Sequence, residues 1–377
     1  MRKIIFVIPS LSGGGAERVL VNILKYLDRS RFFSKVIVFE PKNDYEEDTP
    51  GDIEIICLNK KSRFDFFKLL LLLSKKLKEE KPDLVVSSLS YANYLTLLAN
   101  RIFKLNFSIV ITEQNYPDME ISTQRFSSLH KFLMKKTYSF ASAVIAVSKG
   151  VKENLCENYG VNENKCFVIY NCVDFDNIRE KLKENVNHLW FEERIPIIIS
   201  CGRLSLQKNY PFLLRSFKKV LNLIDARLVI LGKGELEEFL KKYTEELGIK
   251  ERVLFLGFQR NPFKYIAKST IFVLSSSFEG FGNVLLEAMA CGVPVISTDC
   301  PFGPNEIIKN GENGILVPVN DEDALCNAIV KLLKDKELRE KLVLNGLKTV
   351  QNFDVKNMVL NYEKIFEFVM DANFKNS

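Results

Sequence analysis

Short runs rich in isoleucine and valine alternate with longer amphipathic stretches along this chain, and the alternation is played out twice. In the first half KIIFVIP (3–9), KVIVFE (35–40), DIEIICL (52–58), DLVVSS (83–88), SIVITE (108–113) and AVIAVS (143–148) read as strands. Between them AERVLVNILKYLD (16–28) has helical spacing through Val19, Leu20, Ile23, Leu24 and Leu27, and FDFFKLLLLLSKKLKEE (64–80) is a second helix. The second half repeats the plan with PIIISCG (196–202), RLVILGKG (227–234), RVLFLGF (252–258), IFVLSS (271–276), VPVIST (293–298) and GILVPV (314–319). Strands that are apolar on both faces must be covered on both faces, which calls for a parallel sheet flanked by helices. The fold class is therefore α/β with two Rossmann-like βαβ domains. The boundary is expected where CFVIY (166–170) gives way to the polar stretch Asn171–Asp174, which makes the domains 1–172 and 173–355.

Length agrees with that division, because 377 residues exceed what one ordinary core holds and fit two domains. The chain is 47% hydrophobic and 27% charged with both signs mixed, so it is neither disordered nor a polyelectrolyte. A net charge of +6 permits an anionic partner without demanding nucleic acid. The 8 cysteines are scattered with no C-x-x-C pair, as in a cytoplasmic protein with reduced thiols. Having only 2 histidines argues against a histidine-rich metal site or a serine–histidine triad as the centre of the chemistry. The start, MRKIIFVIPS, is a first strand rather than a secretion signal, and the leucine run at 69–73 is far too short to span a bilayer.

Parallel sheets of this kind bind ligands beyond the carboxyl ends of their strands, so the loops there carry the functional information. SLSGGGAER (10–18) places Gly13, Gly14 and Gly15 between a strand and a helix, where backbone can approach a phosphate or a sugar. It is also a degraded dinucleotide fingerprint, with Arg18 in place of the third glycine and Glu40 at the end of the next strand. A nicotinamide-dependent oxidoreductase is therefore an alternative, although it leaves the second nucleotide-type domain unexplained. LGKGE (231–235) is a lone G-x-G that a plain strand–helix turn also explains. CGRLSLQKN (201–209) sets Arg203 and Lys208 just past a strand, a forked and a compact cation matched to a diphosphate, or else two surface charges.

The most informative stretch is FEGFGNVLLEAMACGVPVIS (278–297). Glu279 sits in a loop opened by Gly280 and Gly282, and a helix starts near Asn283. The first amides, from Phe281 to Val284, carry the positive end of that helix. Glu287 lies a turn further on, on the face shared with Asn283. A carboxylate can accept from the vicinal hydroxyls of a ribose, which fits Glu287, and from the hydroxyls of a sugar, which fits Glu279. Phosphate between them would take the helix N-terminus, so the spacing fits a nucleotide-sugar.

Taken together these motifs resemble the family 4 glycosyltransferases, retaining enzymes of the GT-B fold. The family's E-x(7)-E signature is matched by Glu279-GFGNVLL-Glu287, and its G-R-L…K-N element by Gly202-Arg203-Leu204…Lys208-Asn209. The G-G-A-E-R loop is matched at Gly14–Arg18, and VIYNCVD (168–174) is similar to the interdomain link. The likeness covers nearly the whole chain. It implies two domains facing across a cleft, with a last helix, about 356–377, returning to the first. It implies that Arg203 and Lys208 grip the donor diphosphate, that Glu287 binds ribose and that Glu279 lies at the donor sugar. The amides of Phe281, Gly282, Asn283 and Val284 would contact sugar and phosphate, with Gly13, Gly14 and Gly15 over the same region. The base would be held near GFQRNPF (257–263), with Phe258 as an apolar wall. TDCPFGPNEII (298–308) is similar to a subgroup that transfers hexoses or N-acetylhexosamines onto polyprenyl-diphosphate-linked glycans, so a UDP-linked donor and a lipid-linked acceptor are expected. One departure stands out: many members carry a histidine after the strand corresponding to SIVITE, where this chain has Gln114. Gln114 could hydrogen-bond a sugar hydroxyl, or Glu113 could take part.

No cofactor and no metal are expected, the nucleotide-sugar being a co-substrate. Asp174-Phe175-Asp176 matches a D-x-D metal pattern but falls in the link rather than among the donor loops. Two stretches mix lysine with Phe and Leu, at 60–81 and 125–140. The first reads as a helix with its apolar face in the core. The second clusters its basic residues around Phe132, Leu133 and Met134, and is a candidate for peripheral contact with anionic lipid at the inner face of the plasma membrane. A catalytically silent sugar-nucleotide-binding protein is a further alternative, opposed by the intact Arg203, Lys208, Glu279 and Glu287.

Overall fold

The structure is a computed structural model and describes residues 1–62, 65–122 and 126–374, with residues 373 and 374 described in backbone only. The chain divides into two compact units, Met1–Asn171 with the segment from Val355 onward, and Cys172–Asp354. The first unit holds a parallel sheet of β1 (Arg2–Ile8), β2 (Phe32–Val38), β3 (Glu54–Cys57), β4 (Leu84–Ser88), β5 (Ser108–Glu113), β6 (Ala143–Ala146) and β7 (Cys166–Val168). Its order is β3-β2-β1-β4-β5-β6-β7. Phe6 of β1 stands between Val36 and Val86, and Ile4, Ile5, Val85 and Ile111 have no exposed surface, as two-sided cover by helices requires.

The second unit holds β8 (Ile197–Cys201), β9 (Arg227–Leu231), β10 (Val253–Gly257), β11 (Ile271–Leu274), β12 (Val295–Thr298) and β13 (Ile315–Val317), again all parallel. The order is β10-β9-β8-β11-β12-β13. Successive strands run outward in one direction from β8 and in the other from β11. The loops leaving these two neighbours therefore part to opposite faces, and a crevice opens between them at the carboxyl edge. This is the feature of the second unit that positions a site.

The helix Val355–Phe374 completes the first unit. Phe366 meets the rings of Phe6 and Phe32 edge-on at 6.2 and 6.5 Å. Glu363, 5% exposed, accepts from the Asp28 amide at 2.8 Å and pairs with Arg31 at 3.1 Å. All eight cysteines are free thiols.

The helix Phe66–Glu80 buries Leu69, Leu70, Leu73 and Leu77, packs on the helix Ser90–Ile102 and leaves Phe67 and Leu71 exposed. The helix Ser127–Thr137 exposes Leu129 and Phe132, and Lys135 and Lys136 stand beside them. Met134 does not belong to that exposed cluster. It is wholly buried, because its position on the helix turns it inward with Thr137. Arg63, Phe64 and Arg125, which the sequence placed in these two stretches, lie outside the described residues. Among the described residues no helix is long and apolar enough to cross a membrane.

Candidate functional site

Two loops of the second unit, leaving β8 and β11 at the switch in strand order, are laced together by hydrogen bonds that sequence alone does not reveal. After β8 the chain passes Gly202 and Arg203, makes a short 3-10 turn over Leu206–Lys208, and leaves it through Asn209 in a left-handed conformation (φ 48°). Gln207 accepts from the Ser277 amide at 2.8 Å through its carbonyl, and its side chain donates to the Phe278 carbonyl at 3.1 Å. Ser275 Oγ donates to the Lys208 carbonyl at 2.8 Å. Lys208 Nζ then reaches Glu279 Oε1 at 2.5 Å, with side chains 17% and 8% exposed. A charge-assisted pair this sheltered from water is held firmly, and the ammonium still has donors to offer a second anion. The Arg203 side chain is exposed and has no partner among the described residues.

The glycines of neighbouring loops are explained by the same packing. A Cβ on Gly232 would stand 2.0 Å from the Gly202 carbonyl oxygen, and one on Gly234 would stand 2.3 Å from that of Leu204. The Gly202 and Leu204 amides donate to Leu231 and Lys233 carbonyls, both at 3.0 Å. The G-x-G at 232–234 thus serves close approach of two strand–helix loops. On the other side, Gly303 (φ 87°) has no room for a Cβ, which would fall 2.7 Å from Phe281 Cα and carbonyl oxygen. This sets the segment Thr298–Glu306 against the Glu279 loop. Cys300 is buried there, and burial together with the charge of Glu279 pushes its thiol up to about 12, so it stays protonated.

The helix Asn283–Ala290 begins after Gly282, whose left-handed φ of 99° only glycine adopts readily and which offers no side-chain cap. The amides of its first turn lie ahead of the first i→i−4 bond. Asn283 and Val284 are half-buried, as is Glu287 one turn on, whose charge, after burial, raises the Cys291 thiol. Phe281 contributes backbone only, since its ring is 2% exposed and packs on Phe353 at 5.7 Å. Phe258, just past β10, is half-buried.

In the first unit the glycine loop after β1 contains its own anion. Gly13 has φ 39°, and Glu17, 6% exposed, folds its carboxylate back to within 2.1 Å of where a Gly14 Cβ would be. Tyr45 donates to the Gly14 carbonyl at 2.9 Å. Gly15 opens the helix Gly15–Tyr26. The helix start that the sequence offered to a dinucleotide phosphate already faces Glu17, and Glu40 is paired with Lys60 at 3.1 Å. Both contacts count against the nicotinamide alternative. At the end of β5, Glu113 is wholly buried and receives Tyr138 at 2.6 Å, Asn93 at 2.7 Å and Ser90 at 3.1 Å. Burial and the nearby Glu120 raise its carboxyl to about 8 despite those bonds. Gln114 accepts from Asn171 at 2.9 Å, which ties its carbonyl end. Asp174 caps the helix Phe175–Lys181 by accepting from the Asn177 amide at 3.0 Å.

A two-unit α/β chain with two parallel sheets, the second carrying a lysine–glutamate pair at its switch point, has the GT-B architecture, and comparison with known proteins gives the family. The profile described as "Glycosyl transferases group 1" matches residues 180–349, and that described as "Glycosyltransferase Family 4" matches residues 13–177. An N-acetylgalactosamine-N,N'-diacetylbacillosaminyl-diphospho-undecaprenol 4-alpha-N-acetylgalactosaminyltransferase of Campylobacter jejuni is 35% identical over 93% of this chain and 94% of its own length. A UDP-Gal:alpha-D-GlcNAc-diphosphoundecaprenol alpha-1,3-galactosyltransferase of Escherichia coli is 29% identical over 94% of this chain and 95% of its own. Among solved structures, Anabaena Alr3699/HepE in complex with UDP-glucose superposes with a TM-score of 0.82 at 24% identity, covering 98% of this chain and 100% of that one. The chain belongs to the family 4 glycosyltransferases and is a glycosyltransferase.

Proposed function

We propose that the chain transfers a hexose or N-acetylhexosamine from a UDP-linked donor to a hydroxyl of a polyprenyl-diphosphate-linked glycan, with retention of anomeric configuration and without a metal. The observation that carries the reading is the Lys208–Glu279 pair beside an unengaged Arg203, at the carboxyl ends of β8 and β11. Supporting it, the Campylobacter and Escherichia relatives are named for transfer to diphospho-undecaprenol-linked sugars, and the Anabaena protein is seen with UDP-glucose.

In this reading the breaking of the glycosidic bond leaves charge on the departing diphosphate and oxocarbenium character on the sugar. Arg203, Lys208 and the first amides of the helix Asn283–Ala290 face the developing phosphate charge, and prearranged groups of this kind contribute most of the rate. Glu287 accepts from the ribose hydroxyls and Glu279 from a sugar hydroxyl, with Phe258 against the base and Gly13, Gly14 and Gly15 on the acceptor side. The incoming hydroxyl attacks from the face the diphosphate leaves, and the diphosphate takes its proton. Glu113 is too deeply buried to touch substrate and serves the first unit's framework.

Exposed Phe67, Leu71, Leu129 and Phe132 beside lysines give the first unit an amphipathic surface for anionic lipid, where a lipid-linked acceptor resides. Flotation with vesicles containing phosphatidylglycerol, but not with phosphatidylcholine alone, is the expected result. The test of the function itself is UDP release from UDP-glucose, UDP-galactose, UDP-GlcNAc and UDP-GalNAc, with and without a short polyprenyl-diphosphate-linked glycan. One donor should respond to acceptor, in excess EDTA as without it, and the product should keep the donor's anomeric configuration. Activity lost in EDTA and restored by manganese would contradict metal independence. An inverted product or a trapped glycosyl-enzyme would contradict the route.

A further inference from the structure

Both polar partners of Glu279 meet one of its two oxygens. Lys208 Nζ and Ser276 Oγ each lie 2.5 Å from Oε1. Oε2 has no partner among the described residues, and the residue keeps 6% exposure. Ser276 is wholly buried on the turn leaving β11, and Thr298 Oγ1 donates to its carbonyl at 2.6 Å. A hydroxyl has one hydrogen to give, and here it goes to the carboxylate. Turning the carboxyl group so that its oxygens exchange would break two short charge-assisted bonds in a site with little access to water.

From this geometry we infer that Ser276 is a positioning residue for sugar transfer. It fixes the Glu279 carboxylate so that Oε2 alone is offered to the donor sugar, as one acceptor for one hydroxyl rather than a two-oxygen clamp. This rests on reading Glu279 as the sugar-facing carboxylate. Ser276 then acts on the sugar only through Glu279 and has no bearing on the nucleotide. A donor lacking that hydroxyl, or epimeric at it, loses its bond to Glu279, so the orientation Ser276 sets contributes to the choice of sugar.

The test compares wild type, S276A, S276T and E279A. It uses calorimetric titration with UDP, and kcat and KM for UDP release from the best of UDP-glucose, UDP-galactose, UDP-GlcNAc and UDP-GalNAc. Losing one buried hydrogen bond to a charged group predicts about a tenfold fall in kcat for S276A, with UDP affinity held within about twofold. S276T keeps the hydroxyl and should recover most of the rate. E279A should fall at least as far as S276A. If E279A is inactive while S276A turns over like wild type, Ser276 does not position Glu279 and the inference fails while the reading of Glu279 stands. If E279A also turns over like wild type, the reading of Glu279 fails and takes the inference with it. If S276A loses UDP affinity and melting temperature in step with rate and S276T does not recover it, the serine is only a part of the framework and the inference is overturned.

Discussion

Gly232 and Gly202 are pressed together at the carboxyl ends of β9 and β8, so closely that a Cβ on Gly232 would stand 2.0 Å from the Gly202 carbonyl oxygen. Gly232 also has φ 132°, which side chains disfavour. Gly248 has φ 69° but nothing within 4 Å of its would-be Cβ. Gly232→Ala should therefore cost about 2–4 kcal/mol of stability, from strain and displaced backbone together, whereas Gly248→Ala should cost about 1 kcal/mol from backbone strain alone. Urea denaturation of the two variants measures the difference. The displaced loop carries Arg203, so Gly232→Ala should also weaken UDP binding and Gly248→Ala should not.

Arg203 and Lys208 are assigned to the same diphosphate but sit in opposite settings. Arg203 is exposed without a partner, and Lys208 is sheltered against Glu279. Arg203→Ala should leave the melting temperature unchanged and lower kcat/KM by about a hundredfold. Lys208→Met should lower activity comparably and also cost about 3 kcal/mol of stability, because it strands the Glu279 carboxylate in a buried place. Equal melting temperatures for the two variants would contradict the pairing.

Glu113 supplies a pH dependence whose sign is fixed by its raised carboxyl. In the unfolded chain it ionises near 4.5, and in the folded chain at about 8. Its contribution to stability is fully present below 4.5 and is lost as pH rises through about 8. Between those values the slope is at most ~1.4 kcal/mol per pH unit. Glu113→Gln keeps an oxygen for Tyr138 and Asn93 and removes the titration. The variant should gain on wild type from pH 6 up to about pH 8 in chemical denaturation, the gain levelling off above that. A constant difference across that range would show that the buried carboxyl does not hold its proton.

The sheets were legible in the sequence because their strands are buried on both faces, so Ile and Val accumulate without interruption. SIVITE appears at Ser108–Glu113, and IFVLSS was read two residues too long, since Ser275 and Ser276 turn off β11 to bind Lys208 and Glu279. Glu279 and Lys208 could be picked out singly by residue type and position after a strand. Their direct contact could not, because it spans 71 residues and depends on the strand order that makes β8 and β11 neighbours. Ser276 gave no signal, since a serine near a strand end has many uses. The glycine loop was open to misreading for a different reason. Its three glycines say that something approaches closely, and only the fold shows that Glu17 does so.

The central claim is that a nucleotide's diphosphate is held where β8 and β11 diverge. A crystal structure of the protein with UDP tests it most directly. The account predicts β-phosphate oxygens about 3 Å from the Arg203 guanidinium and the Lys208 ammonium, with the ribose hydroxyls on Glu287. A diphosphate bound away from both cations, for instance on the glycine loop after β1, would contradict it.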